Sequence, residues 1–330
     1  MSNIKNTILK YTVLTGLTLA SFGCSEEFLD KTPQSQITLD NFYQTKEQVY
    51  ASTSSLYSKP WFNYHYLAPH YIEAMAGNTI HPNDGNVLQY LLFNVQGNQA
   101  EMNLMWGSFF RVVGFSNSII KNLPLKVASS VPADDVKHAL AEARFMRAAA
   151  YFYLVRLWGA VPIVEDPEAL VSGDSNIPRN TVESVYEFII RDLKFAEQNG
   201  FINKNAEGRI SIWSAKAMLA KVYLQQKDYA NAKSKSDEVI NSGQYALYSD
   251  YFDNFRTGMD NKTESIFAFQ WHGTDHWTAQ NTLQAWLAPS GITDVNDGWS
   301  LFLPSLDLLS RFEAGDKRKK FTVMTPGEVY

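Results

Sequence analysis

The side chains whose chemistry stands out in this sequence are flat aromatics grouped with histidines, amides and acids. Trp271, His272, His276, Trp277 and Trp286 fall in one short stretch. Asn78, His81, Asn83, Asp84 and Asn86 fall in another. An indole face packs against the C–H face of a sugar ring, and nearby polar side chains then hydrogen-bond its hydroxyls. On that chemistry the candidate ligand-binding residues are Trp277, Trp271, Trp286, His276, Asn78, His81 and Asp84, with Tyr64 and Tyr66 as lesser candidates. Trp106, Trp158, Trp213 and Trp299 read instead as core.

Other chemistries find little support. The chain contains no GxSxG, HExxH, GxxxxGK[ST] or GxGxxG pattern. His272 and His276 are four apart, a spacing that shares a metal only on a helix, whereas a predicted strand and a Gly- and Trp-rich segment surround them. Asp294-Val-Asn-Asp297-Gly298 is oxygen-rich but is a fragment of a calcium loop, and reads as a turn. No local motif pairs two of the 34 acidic residues as glycoside hydrolysis requires. The sequence therefore predicts no catalytic residue, no cofactor and no metal. The net charge of -5 and the absence of a basic stripe argue against nucleic acid. The run Lys317-Arg318-Lys319-Lys320 lies beside Glu313 and Asp316 and reads as a solvated turn.

The first residues form a segment of their own. Lys5 and Lys10 precede a short, mostly apolar run from Tyr11 to Ala20, and Ser21-Phe-Gly23 then leads into Cys24. The run is about half the ~20 residues that span a bilayer as a helix, so it reads as a removable export signal. Cys24 is the sole cysteine, which excludes an internal disulfide. A small residue followed by Cys resembles a bacterial lipobox, with Ser21 where Leu is usual. In that chemistry the thiol is acylated, and acyl chains hold the protein to a membrane. Ser25-Glu26-Glu27 resembles the surface-export signal of Bacteroidetes lipoproteins. The expected organisation is a signal peptide over 1–23, a polar tether over 24–40 and a helical domain over 41–330.

The elements that must position the candidates are mainly helical. Asp40 or Asn41 caps a predicted helix running to about Ser58, with acceptors at Thr45, Glu47 and Gln48. Residues 60–100 mix aromatics with Pro, Gly and Asn and read as a loop-rich surface segment. A second helix is predicted over about 101–122. From Val136 to Trp158, Ala141, Phe145, Ala148, Phe152 and Val155 recur on one face of a 3.6-residue period. Ala148-Ala149-Ala150 admits a close neighbour, and Gly159 and Pro162 end the helix. A further helix begins at Asn180, with Glu183 reaching back, and ends at Asn199-Gly200. Ser211 caps the next, with Ile212, Ala215, Leu219 and Val222 on one face, and a partner helix runs from about Tyr229 to Ser242. This pair resembles a tetratricopeptide (TPR) repeat, with Lys216 at its Trp position. Such a unit needs other helix pairs stacked on it. Glu264 to Trp271 is predicted as a short strand, and 272–300 as loops with short helices.

Five ordered segments together resemble the SusD/RagB family. They are Phe28-Leu29-Asp30; Ala141-Glu-Ala-Arg-Phe-Met-Arg-Ala-Ala-Ala-Tyr-Phe-Tyr-Leu-Val-Arg-Leu-Trp-Gly-Ala-Val-Pro-Ile163; Trp213 to Leu224 with the Asp228-Tyr229-x-x-Ala232 turn; Glu264-Ser-Ile-Phe-Ala268; and Leu303-Pro-Ser-Leu-Asp307 through Phe312-Glu-Ala-Gly-Asp-Lys-Arg318. The resemblance implies a mainly α, TPR-like helical repeat array with loop-rich insertions and a few short strands. It implies a lipid-anchored protein on the cell surface at the outer membrane. Such a protein binds an oligo- or polysaccharide and delivers it to a SusC-like TonB-dependent transporter. Family members continue past the Asp-x-Arg segment, so the helical domain is expected to be short at its C-terminus. Two alternatives stay open: a TPR-type surface scaffold with no ligand of its own, and, less favoured, a glycoside hydrolase.

Overall fold

Long helices stacked in chain order carry the fold. The structure, a computed structural model, describes residues 38, 41–81, 85–166, 168, 177–204, 208–273, 276–291 and 298–327. The predicted signal peptide, Cys24, nearly all of the tether, Asn83, Asp84 and residues 294–297 lie outside the described residues. The chain divides into two units, Met1–Phe42 and Tyr43–Tyr330, and the helical frame belongs to the second.

Its first helix, α1 (Lys46–Ser54), opens on a reciprocal cap between Thr45 and Gln48. Two 3₁₀ turns lead into α2 (Phe62–Met75). A two-residue strand, β1 (Thr79–Ile80), and the short α3 (Val87–Leu91) come next. The frame is built by α4 (Ala100–Lys126), α5 (Ala133–Trp158), α6 (Val182–Asn199), α7 (Ile212–Gln225) and α8 (Tyr229–Ile240). Each of these packs on the next, α2 lies on α4, and α1 lies on α5. The last third holds α9 (Leu283–Leu287), β2 (Leu303–Pro304), α10 (Leu306–Ser310) and α11 (Arg318–Thr322). β1 and β2 pair antiparallel, with Thr79 opposite Pro304 and Ile80 opposite Leu303.

α5 is the centre of the core. Ala141, Phe145, Ala148, Phe152 and Val155 are all buried, as the period requires. Ala148, Ala149 and Ala150 are buried too, where α5 lies between α4 and α6. Two ion-pair networks also cross this core. The Arg147 Nε donates to Asp192 Oδ2 at 2.7 Å and its Nη1 to Asn117 Oδ1 at 2.7 Å, which ties α5 to α6 and α4. The planar guanidinium fork satisfies both charges in an interior that would reject either alone. Glu142, fully buried, accepts from Thr53 Oγ1 at 2.6 Å, Tyr57 OH at 2.5 Å and Arg209 Nη1 at 3.0 Å. Burial pushes the Glu142 carboxyl up, against the pull of Arg209 and the two hydroxyls.

Several expectations change. Residues 60–100 are not mainly loop: α2 and α3 occupy much of them, because Phe62, Leu67, Ala68, His70, Tyr71 and Ala74 give α2 a buried face. The first helix is capped by Thr45, not Asp40 or Asn41, and ends at Ser54 before a 3₁₀ turn. Thr181 caps α6, while the Asn180 side chain accepts from Ile163 N at 2.8 Å. Glu264 to Trp271 forms no strand: Glu264 lies in a turn, Ile266 in a bend, and the segment joins no ladder. Its polar backbone bonds elsewhere: Gln270 N donates to Tyr57 O at 2.9 Å, and Ile266 O accepts from Ser214 Oγ at 3.0 Å. Trp299, expected in the core, is 47% exposed.

Candidate functional site

α2 supplies the floor of an aromatic cluster. Phe62, Tyr66 and His70 recur every four residues and so share one helix face. The Phe62 and Tyr66 rings stack at 5.6 Å. Phe62 meets Trp271 edge-on at 6.4 Å and Trp277 at 6.2 Å. Tyr66 meets Trp286 edge-on at 4.4 Å, and His70 meets it at 5.2 Å. His70 also lies 4.4 Å from the His81 ring, and both touch Phe302. Edge-to-face geometry of this kind suits the ring quadrupoles and adds to the burial energy.

Above this floor lie Trp277 and Trp299. Their ring centroids are 6.2 Å apart and their planes differ by 22°. They are 43% and 47% exposed, against 8% for Trp286 beneath them. Trp286 touches Trp299 at 5.5 Å and Phe302 at 5.8 Å, so it props the outer pair. The backbone fixes Trp299: its N–H donates to Ala285 O at 2.8 Å, and Leu301 N donates to Trp286 O at 3.1 Å. Gly298 permits this approach, since a Cβ there would sit 2.6 Å from the Ala288 carbonyl oxygen. Trp277 opens a 3₁₀ turn that the His276 ring caps by accepting from Thr278 N. Two near-parallel, part-exposed indoles on a packed aromatic floor offer apolar ring surface to the C–H groups of a sugar.

The remaining candidates sit at different depths. Trp271 is half-buried against His65, ring to ring at 4.5 Å, and His65 Nε2 is 2.9 Å from Asn281 Oδ1. Burial holds the His65 imidazole below its ordinary range, with the Asn281 contact opposing. His276 is exposed beside Trp277. His81 is buried below Trp286's neighbours, 3.1 Å from Thr79 Oγ1. Asn78 donates to Glu73 at 2.6 Å, and its carbonyl accepts from Ser305 N at 3.0 Å, next to the β1–β2 pair. Tyr66 belongs to the floor; Tyr64 turns toward Phe109 and Tyr153, at 4.8 and 4.7 Å. α2 thus brings His81 of one sequence cluster together with Trp271, Trp277 and Trp286 of the other, while Asp84 lies outside the described residues. Sequence reasoning missed Trp299 and the helix under it; the four-residue spacing of Phe62, Tyr66 and His70 was the available signal. Among the described residues, no group of three or more His, Cys, Asp or Glu is placed to hold a metal, and no helix is long and apolar enough to cross a membrane.

Comparison with known proteins bears on this geometry. Residues 27–224 match the SusD-like family described as starch-binding and associating with the outer membrane. A SusD-like protein of Bacteroides ovatus is 34% identical over 97% of this chain and 61% of its own length. One from Formosa agariphila is 27% identical over 76% of this chain and 50% of its own. The chain therefore spans about half to three-fifths of the length of these curated relatives. A crystal structure with bound xylogluco-oligosaccharide superposes with a TM-score of 0.73 at 32% identity, over 80% of this chain and 55% of that one. A SusD superfamily protein from Parabacteroides distasonis gives 0.72 at 27% identity, over 83% of this chain and 61% of its own.

Proposed function

Because this chain belongs to the SusD-like family, we propose that it is a non-catalytic, glycan-binding lipoprotein of the outer membrane that lays a neutral oligo- or polysaccharide across Trp277 and Trp299. The observation that carries this reading is the exposure of two near-parallel indoles over a packed aromatic floor. The bound xylogluco-oligosaccharide of the 32%-identical neighbour supports a glycan as the ligand. Cys24 would carry the lipid anchor, with residues 1–23 removed and 24–40 acting as tether. The partner would be a SusC-like TonB-dependent transporter, to which the bound chain is handed. His276 would bond sugar hydroxyls at the platform's edge, with Asn78 and Asp84 as further polar contacts.

Affinity electrophoresis on a panel of neutral polysaccharides tests the ligand. At least one should retard the protein, and Trp277→Ala or Trp299→Ala should each weaken that retardation by about tenfold, or ~1.4 kcal/mol. Retardation by no glycan would favour a scaffold without a ligand. Release of reducing sugar by pure protein would overturn the non-catalytic reading. Recovery of a TonB-dependent transporter with the tagged protein from solubilised outer membranes tests the partner.

A further inference from the structure

Beside the platform, behind Trp271, residues 265–271 and the loop before them enclose a recess of about 400 Å³. Its wall is Trp271 with Phe269, and its polar lining includes Asn254, Asp260, Asn261, Gln270 and Asn281. This volume lies within the range of small-ligand pockets. The composition is that of a sugar site: an aromatic face, side-chain amides and one carboxylate, and no cationic side chain among the described residues that line it.

The polar wall is held in advance of any ligand. Asn261 and Gln270 exchange two amide hydrogen bonds, of 2.9 and 3.1 Å, and Gln270 Nε2 also donates to Ala268 O at 2.9 Å. Gly208, at φ +78°, lies against this pair; a Cβ there would come within 2.7 Å of the Asn261 amide. Asn281 is fixed by the 2.9 Å contact with His65, and Asn254 by a 3.1 Å hydrogen bond to Glu264. Asp260 is exposed at the rim. Trp271 joins recess and platform, because Phe62 touches both Trp271 and Trp277.

We infer that this recess is a second carbohydrate subsite, which takes a single neutral pyranose ring, a chain end or a branch, of a glycan whose main chain lies on Trp277 and Trp299. The inference rests on the reading of the protein as a sugar binder but on different residues. The ring stacks on Trp271, the amides of Asn254, Asn261 and Asn281 meet its hydroxyls, and the Asp260 carboxylate accepts from a hydroxyl pair. The same carboxylate, with no cationic side chain among the described lining residues, selects against uronic acids.

The test uses the full chain carrying Trp277→Ala and Trp299→Ala, so that the platform is removed. Saturation-transfer NMR and tryptophan fluorescence follow titration with D-glucose, D-galactose, D-mannose, D-xylose and D-glucuronate. At least one neutral sugar should bind saturably, with a Kd in the millimolar range expected for so small a ligand. Adding Asp260→Ala with Asn254→Ala should weaken that binding at least tenfold while circular dichroism stays unchanged, and Asp260→Asn alone should weaken it less. Glucuronate should bind more weakly than glucose. Absence of saturable binding by every neutral sugar, or binding undiminished by both sets of rim substitutions, overturns the subsite. Failure of the platform reading looks different: the tryptophan double variant would then hold polysaccharide as well as the native chain does.

Discussion

Single residues set how the outer indoles are held. Gly298→Ala should push residue 298 off the Ala288 carbonyl and turn Trp299 away from Trp277. Glycan affinity should fall several-fold with little change in Tm, which electrophoresis and a thermal melt on one preparation would check. Trp286→Ala should do more harm, since it removes a buried indole from under the platform: about 3–5 kcal/mol of stability as well as binding. His65 adds a dependence on pH. Its folded imidazole is held below the ordinary 6.5, so as pH falls through 6.5 the unfolded chain takes up a proton that the folded one refuses. Stability therefore drops with acidification and levels off below the folded pKa. His138 shifts in the same direction. His65→Phe should lose part of the fall in Tm between about pH 7.5 and pH 5.5, with the His138 share remaining.

At the scale of elements, what matters is how the last third of the chain is tied to the helical frame. Glu142 binds α5 to α1, to Tyr57 and to Arg209, and Tyr57 in turn accepts from Gln270 N and, through its hydroxyl, from Ile210 N. Arg209→Met should cost about 3–5 kcal/mol, because it strands a buried carboxylate, and adding Glu142→Gln should recover much of it. Urea unfolding of the two variants decides this. The helical frame was legible in the sequence because amphipathic period and packing agree there: each residue of the Ala141–Val155 stripe is buried. The Arg147–Asp192 pair was not legible, since nothing local distinguishes a charge that will be buried from one that will be solvated. α2 was misread because Tyr, His and Asn at 63–66 resemble a surface loop by composition, while their helical spacing is visible only when a partner face is supplied. The predicted strand at 264–271 failed for a related reason. A short aromatic and β-branched run resembles a strand by composition, but no strand pairs with it among the described residues, and its backbone turns and bends instead. At the site, Trp277 and Trp271 were singled out from composition, whereas Trp299 was assigned to the core because no sequence pattern tells a supporting indole from a presented one.

Taken whole, the molecule joins a helical array to an aromatic platform, the proposed glycan site, that carries no charge of its own. The outer indoles are neutral, and the net charge of -5 is spread over many acids and bases. Binding of a neutral glycan should thus change less than about twofold between 50 mM and 500 mM salt, whereas an anionic ligand would show screening of long-range attraction. Titration at two ionic strengths separates these cases. The floor of the platform comes from α2, and its exposed layer comes from residues more than two hundred positions later in the chain. Contacts so distant in sequence form late, after the entropy of a long loop has been overcome. On the proposed reading, capture of sugar is then expected to follow the helical content as the chain folds. A refolding chain should regain its circular dichroism first and the proposed hold on glycan afterwards, a delay that stopped-flow dichroism and glycan-quenched tryptophan fluorescence on one preparation would resolve.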